Sequence, residues 1–469
     1  TLRYHSEPRY LHLESGKEIV VLYNELQLVD EFNGGLVSGV DSLEEPGVTV
    51  LGRASEEEIE EAELAASELG SSETESLGGS DPVLLTAYTV TVCGHWRTWF
   101  EDAGLGEDVW TSTSYYDRDA RNTYARIKSG STTVWSGYLN ASGCTPSMSL
   151  NSGTYSLVQS SSVSDGSTSY SVYSCSYNPF NGWLCFPPTA TQSFSVSSAG
   201  TKNVYPTSTG DWVNANALVG WLMESPDSGK ATSSTSILTN RTCPGYESSS
   251  CWSSYDDSIY LSPNGGDHKF VISHEVGHQS QFDRTGYLGS GYDHVVPSYD
   301  WQCRCDHVTS SNQAHCLQSR EYIDTAILEG FGYFFAAKLF NEEDESNCRM
   351  AHSKQLAIPH PLYPEDPELA TIYQPPVVVD CREQVQWQEN WCDAADTGTE
   401  WDWMNFFWEW HSGGGSNPSH ATMNDIYSII NDVVYWEDVN DGALARFGGD
   451  FNAKYNYFVA TAIAYEVIQ

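Results

Sequence analysis

His274-Glu275-Val276-Gly277-His278 limits the fold more than any other feature of this chain. Residues four apart in an α-helix lie one above the other on one face, so both imidazoles reach a single ion only if this segment is helical. The glutamate beside the first histidine is then placed to take a proton from a water on that ion. The flanks support a helix. Asn264-Gly265-Gly266-Asp267 is a turn and helix-start signal, with Asp267 the expected N-cap. Beyond it, Phe270, Val271, Val276, Gly277 and Phe282 mix with polar residues as in a half-buried helix. Just upstream, Ser258-Ile259-Tyr260-Leu261-Ser262 reads as a short strand whose edge would dock an extended peptide.

This pattern resembles that of the zincin metallopeptidases. Val271, Ile272 and Ser273 comply with the family's longer pattern, whereas Ser280 stands where an apolar residue is preferred. The resemblance implies a zinc ion held by three protein ligands and a water. The metzincin subgroup would place glycine at 281 and histidine at 284; Gln281 and Arg284 exclude it. A third ligand is therefore sought downstream, in the largely apolar helix expected from Arg320 to Phe340. Glu329 lies at its apolar centre, where a carboxylate is costly to bury unless paired or metal-bound. Gly330 and Gly332 lower helix propensity and suit a close approach of two helix backbones. Glu329-Gly330-Phe331-Gly332 looks like the third-ligand segment of gluzincins, especially of the aminopeptidase N type. The resemblance, confined to these two helices, implies His274, His278 and Glu329 as zinc ligands and Glu275 as the general base.

Thermolysin-like enzymes carry an aspartate four residues after the third ligand, and here that position is Tyr333. Glu321 and Asp324 are substitutes for orienting a zinc histidine, although a solvated helix edge is the expected role of both. Tyr333 is a candidate for oxyanion stabilisation, with a packed core tyrosine the expected reading. Tyr292, His294 and His411 are further candidates that the sequence does not rank.

Composition sets the surroundings. The formal net charge is −41 over 469 residues, with acids concentrated in the first eighty residues and again in the later part. A phosphate backbone would be repelled, which excludes nucleic acid as a partner. Such a surface suits salty surroundings, where screening relaxes self-repulsion. No apolar run approaches a membrane span, and a chain beginning at Thr1 predicts a secretory leader already removed. Twelve cysteines agree with an oxidising compartment. Close pairs, namely Cys175 with Cys185, Cys243 with Cys251 and Cys381 with Cys392, predict short disulfide-closed loops. Cys303, Cys305 and Cys316, with His307 and His315 beside them, admit a second, structural metal site, but disulfides explain them better.

The expected fold class is α+β multidomain: an N-terminal acidic segment, a β-sandwich domain and a mainly α-helical zincin-like catalytic domain. Residues 1–80 contain a strand pair between Glu18 and Leu28. A capping box at Ser55-Glu56-Glu57-Glu58 then starts a helix that Gly70 ends, and a Ser/Gly/acid-rich linker follows. A propeptide or a structural arm would both fit this segment. Residues 81–206 show strand composition at Val83–Val92, Asn122–Lys128, Thr154–Ser162, Ser167–Tyr177 and Thr191–Ser197, which suggests a sandwich. Its aromatic residues are candidates for glycan or cell-surface contact. Residues 207–469 turn helical, first over Asp211–Glu224, and end in an aromatic helix from Trp401 to His411 with too many large rings for one face.

These features point to a secreted or cell-surface zinc metallopeptidase acting on a peptide or protein substrate. The rival from another class is a catalytically idle surface or adhesive protein built on a zincin scaffold, with the sandwich as its binding module. A non-haem iron oxygenase also uses two histidines and a carboxylate, but the adjacent glutamate favours hydrolysis.

Overall fold

Short β-branched and aromatic runs, separated by Gly, Asn and Ser turns, form most of the strands described before residue 262. The computed structural model describes strand segments at 9–12, 18–22, 25–30 and 35–36. It further describes residues 86–99, 115–224, 234–244, 249–263, 265, 268–286, 296, 303, 316–341, 345–351, 356–358, 362–363, 367–374, 377–381, 397–412, 420–431, 436–448 and 453–464. Near the N-terminus, β1 (Arg9–His12), β2 (Glu18–Leu22), β3 (Glu25–Asp30) and β4 (Gly35–Leu36) form an antiparallel meander, two strands more than the sequence suggested. The helix expected from Ser55 and the linker after it lie outside the described residues.

There follow β5 (Ala87–Thr98), β6 (Tyr116–Asp119), β7 (Thr123–Ser129), β8 (Thr132–Tyr138), β9 (Met148–Asn151), β10 (Gly153–Ser164) and β11 (Ser169–Asn178). Next come β12 (Gly182–Phe186), β13 (Thr189–Val196), β14 (Gly200–Val204), helix α1 (Asp211–Leu222), β15 (Ser234–Thr239), β16 (Cys251–Ser253) and β17 (Ser258–Leu261). The larger sheet runs β16-β17-β15-β11-β10-β7-β8, with β12 beside β11 and β13 beside β10; the smaller is β14-β5-β6 with β9 on β5. Strand β5 packs on β7 and β10: the Trp96 indole donates to Thr123, and the Gln159 amide donates to the His95 carbonyl.

The structure contains both helices and sheets, as the α+β expectation requires. Its larger sheet continues past residue 206, where the sequence suggested a boundary. Strand β15 joins β11 in parallel, and β17 joins β15 in parallel. Parallel neighbours need a crossover, and α1, buried along most of its length, lies within the one between β11 and β15. The larger sheet is mixed, and helices cover one of its faces. Period-2 alternation sorts that face: Val172, Ile237 and Ile259 stand in register and enter the main core with α1 and the metal-motif helix. Their neighbours Tyr173, Leu238 and Tyr260, also in register, gather in a separate small cluster.

The remaining helices are α2 (Lys269–Thr285), α3 (Ile323–Phe340), α4 (Glu400–Ser412), α5 (Met423–Ile429), α6 (Trp436–Phe447) and α7 (Ala453–Ala464). Between them lie β18 (Glu321–Tyr322), which pairs with β23 (Thr397–Gly398), β19 (Cys348–Ala351) with β22 (Val377–Val379), and β20 (Leu356–Ile358) with β21 (Thr371–Tyr373). Helix α3 packs between α2 and α4. Trp401, Trp403, Phe406, Phe407, Trp408 and Trp410 of α4 are all buried, as an all-round apolar helix must be.

Disulfides join Cys93–Cys144, Cys175–Cys185, Cys243–Cys251 and Cys348–Cys381. The second and third are the predicted loops. The fourth corrects the expected Cys381–Cys392 pair, because β19 and β22 bring Cys348 opposite Val379, beside Cys381. Cys303 and Cys316 are also disulfide-bonded, so neither offers the thiolate that a second metal site would need. Among the described residues no helix is long and apolar enough to cross a membrane.

Candidate metal centre

Helix α2 starts one residue later than the sequence suggested: its N-cap position is His268, while Asp267 lies outside the described residues. Its end is set by Gly286, which takes the left-handed conformation at φ 72° and donates its N–H to Phe282. The buried face carries Phe270, Ile272, Ser273, Val276, Gly277, Gln279 and Ser280. Ser280, the departure from an apolar position, is explained by its partner: its hydroxyl lies 2.8 Å from the Tyr427 hydroxyl of α5. Burial pushes the Tyr427 phenol well above its usual range, so it stays neutral and able to donate.

His274 and His278 stand one turn apart on α2, and Glu329 reaches them from α3. The two Nε2 atoms are 2.9 Å apart, and Glu329 Oε2 lies 3.2 Å from that of His274 and 3.6 Å from that of His278. One ligand atom from each residue falls within 4.8 Å of the other two. With metal–ligand bonds of about 2 Å, the edges of a tetrahedral site are about 3.3 Å, and the observed spans bracket that value. The donor set of two imidazoles and a carboxylate, closely matched in spacing, therefore fits zinc.

Two glycines make this approach feasible. A Cβ on Gly332 would sit 2.7 Å from His274 Cε1 and 2.9 Å from His278 Cε1, so only glycine leaves room for both rings. On the opposing helix, a Cβ at Gly277 would come within 3.1 Å of Phe335. Gly330 allows the expected close approach of two helix backbones, here those of α3 and α4. It admits α4, whose Trp403 Cβ and Glu400 carbonyl would lie 2.7 and 2.9 Å from a Cβ there. Tyr333 is buried, with its ring 4.5 Å from that of His274, as a packing partner of the ligand.

Electrostatics favour positive charge here. Burial is the largest influence on the His278 imidazole and lowers its pKa, but Glu329, Glu275 and Glu400 together outweigh it and hold the pKa above the usual histidine value. Glu275 and Glu400 are themselves buried. Glu400 had no recognisable signal in the sequence; it opens an aromatic helix, and only the packing of α4 on α3 brings it to the site. The side chains of His274 and Glu329 stay 13% and 14% exposed, so the ligand cluster is not fully sealed from solvent.

Other candidates fall elsewhere. Glu321 and Asp324 are buried, which overturns the solvated-edge reading: Glu321 Oε1 accepts from the Ser319 hydroxyl at 2.5 Å, and Asp324 accepts from the Thr325 N–H. His411 donates from Nδ1 to the Ala421 carbonyl at 2.7 Å and packs on Phe334, a structural role. Tyr292 and His294 lie outside the described residues. The edge expected for peptide docking on Ser258–Ser262 is occupied, because β16 pairs antiparallel with β17 from Ser258 to Tyr260. Among the described residues the last strand of the sheet on that side is therefore the three-residue β16. Comparison with known protein-family models and with curated proteins gave no match.

Proposed function

We propose that the chain is a zinc-dependent metallopeptidase, with His274, His278 and Glu329 holding the metal and Glu275 acting as general base. The observation that carries this reading is the convergence of three ligand atoms, from two separate helices, within 4.8 Å beside a buried glutamate. The partial exposure of His274 and Glu329 supports a catalytic rather than a closed structural site, since a reaction needs an open coordination position. Zinc bound there would supply Lewis acidity and lower the pKa of its water. Glu275, on the same helix and next to His274, takes the proton of the attacking water and passes it to the leaving amine. Its burial keeps competing water away from that transfer. The disulfides accord with action in an oxidising, extracellular setting, where peptide or protein substrates would be met.

The test separates ligands from base. His274→Ala, His278→Ala and Glu329→Ala are each expected to strip zinc, measured by elemental analysis of the purified protein. Glu275→Gln is expected to keep stoichiometric zinc while hydrolysis of a peptide library falls by about two or more orders of magnitude. Full zinc in Glu329→Ala would remove the third-ligand assignment, and library turnover unchanged in Glu275→Gln would remove the mechanism.

A further inference from the structure

Between Lys128 and Lys202 the only charged residue is Asp165, in a chain of net charge −41. Asp165 is engaged locally, accepting from the N–H groups of Ser167 and Thr168 and from the Ser167 hydroxyl in the β10–β11 turn. The rest of this stretch, most of the larger sheet, is built from serine, threonine, asparagine, glycine and aromatic residues. Such a surface interrupts the acidic coat of the protein.

Its most exposed part is the β11–β12 hairpin. Tyr177 and Trp183 form a directly opposed cross-strand pair, with rings 5.6 Å apart at 69°. Two rungs back, Cys175 and Cys185 are opposed and joined by their disulfide. At the tip, Asn178 Oδ1 accepts from the Phe180 and Asn181 N–H groups and fixes the turn. Phe180 is 94% exposed, Tyr177 64% and Phe186 42%. Alternation puts Tyr177 and Trp183 on the face of Cys175, Leu238 and Tyr260, opposite the face covered by helices. Trp183 is half-buried against that cluster, but Tyr177 and Phe180 stand in water at a free-energy cost that a partner would relieve.

We propose that this hairpin is a docking platform for a neutral polysaccharide. A pyranose ring has a flat C–H face that stacks on the exposed Tyr177 ring, with the half-buried Trp183 set edge-on behind it, while its hydroxyls meet polar groups of the exposed tip such as Asn181. An acidic lipid surface or nucleic acid would find no cation on the hairpin and a repelling charge around it. A basic peptide would be drawn to carboxylates elsewhere. An uncharged, polyhydroxylated ligand matches the charge-free surface, and its binding does not depend on the metal site.

The experiment is retention of the full chain on insoluble cellulose, chitin and β-1,3-glucan, with neutral phosphatidylcholine vesicles as a separate arm. Retention on at least one polysaccharide is expected, unchanged when salt is raised severalfold because no ion pairs form. Tyr177→Ala and Phe180→Ser are each expected to weaken it about tenfold or more, with zinc content and melting temperature unchanged; Phe180 is too exposed for its loss to disturb folding. Glu275→Gln should bind like the parent, so failure here and failure of the peptidase reading remain distinguishable. No retention on any of the three polysaccharides would overturn the proposal, as would equal retention by the Tyr177→Ala/Phe180→Ser double variant. Binding to vesicles alone would also overturn it and identify a membrane-docking tip instead.

Discussion

At the scale of single residues, Gly332 is the most sensitive position of the candidate centre outside the ligands and Glu275. A methyl group at 332 would meet atoms of both histidines at less than 3 Å, against rings that are held by α2, Tyr333 and Glu329. Helix α3 itself should gain from Gly332→Ala, because alanine is the better helix former by about 1 kcal/mol. The two effects have opposite signs and separate readouts. We expect Gly332→Ala to weaken zinc binding by about tenfold to a hundredfold, the range seen when a ligand's support is disturbed. Competition with a chelator measures this, and the far-ultraviolet circular dichroism spectrum should be unaltered. Zinc affinity equal to that of the parent would show that the rings can move aside and that the close packing has no functional weight. By contrast, Ser280→Ala leaves the buried Tyr427 hydroxyl without its 2.8 Å partner and should cost about 1–3 kcal/mol of stability without loss of zinc.

The element scale is clearest in the last three helices, which meet at one carboxylate. Thr422 and Asp425 form a capping box at the start of α5. Asp425 also receives Arg446 from α6 and Lys454 from α7, each at 2.9 Å. Burial, the largest influence on Asp425, raises its pKa; the Thr422 N–H, Lys454, the Thr422 hydroxyl and Arg446 together prevail and hold it at about 2. A carboxylate with a folded pKa below its unfolded value stabilises above the unfolded value, and that contribution fades as pH falls through the folded one. Asp425→Asn should therefore cost about 2 kcal/mol near neutral pH. The gap between parent and variant should close between about pH 4.5 and 2, as followed by urea denaturation. A gap that persists at the acid end would mean that shape, not charge, holds the three helices together.

For the whole molecule, net charge and covalent links pull in opposite directions. At −41, the folded chain repels itself, and salt screens that repulsion. The melting temperature should rise with added sodium chloride and level off as screening saturates; a fall would argue that surface ion pairs outweigh the repulsion. Among the disulfides, Cys93–Cys144 spans 51 residues and Cys243–Cys251 only 8. Loop-closure entropy assigns about 4 kcal/mol to the first and about 2.5 kcal/mol to the second. The Cys93→Ser/Cys144→Ser variant should accordingly unfold at a lower denaturant concentration than Cys243→Ser/Cys251→Ser.

What the sequence determined by itself is what depends on short-range chemistry. The spacing of His274 and His278 specified a helix with both rings on one face, and Glu329 stood out as a carboxylate within an apolar helix. Strand composition located β5, β7, β10, β11 and β13, and two short cysteine spacings matched observed bridges. Tertiary structure decided everything that requires distant segments to meet. Pairing of β15 onto β11 and of β17 onto β15 carried the larger sheet past residue 206, because parallel register depends on where a crossover lands and not on strand composition. Pairing of β19 with β22 chose Cys348 over Cys392 as the partner of Cys381. Packing buried Glu321 and Asp324, set Glu400 beside the candidate metal centre and gave Gly330 and Gly332 different neighbours. A residue's own chemistry states what it can bind or where it resists burial; which partner answers it is set by the crossing of elements that no local pattern encodes.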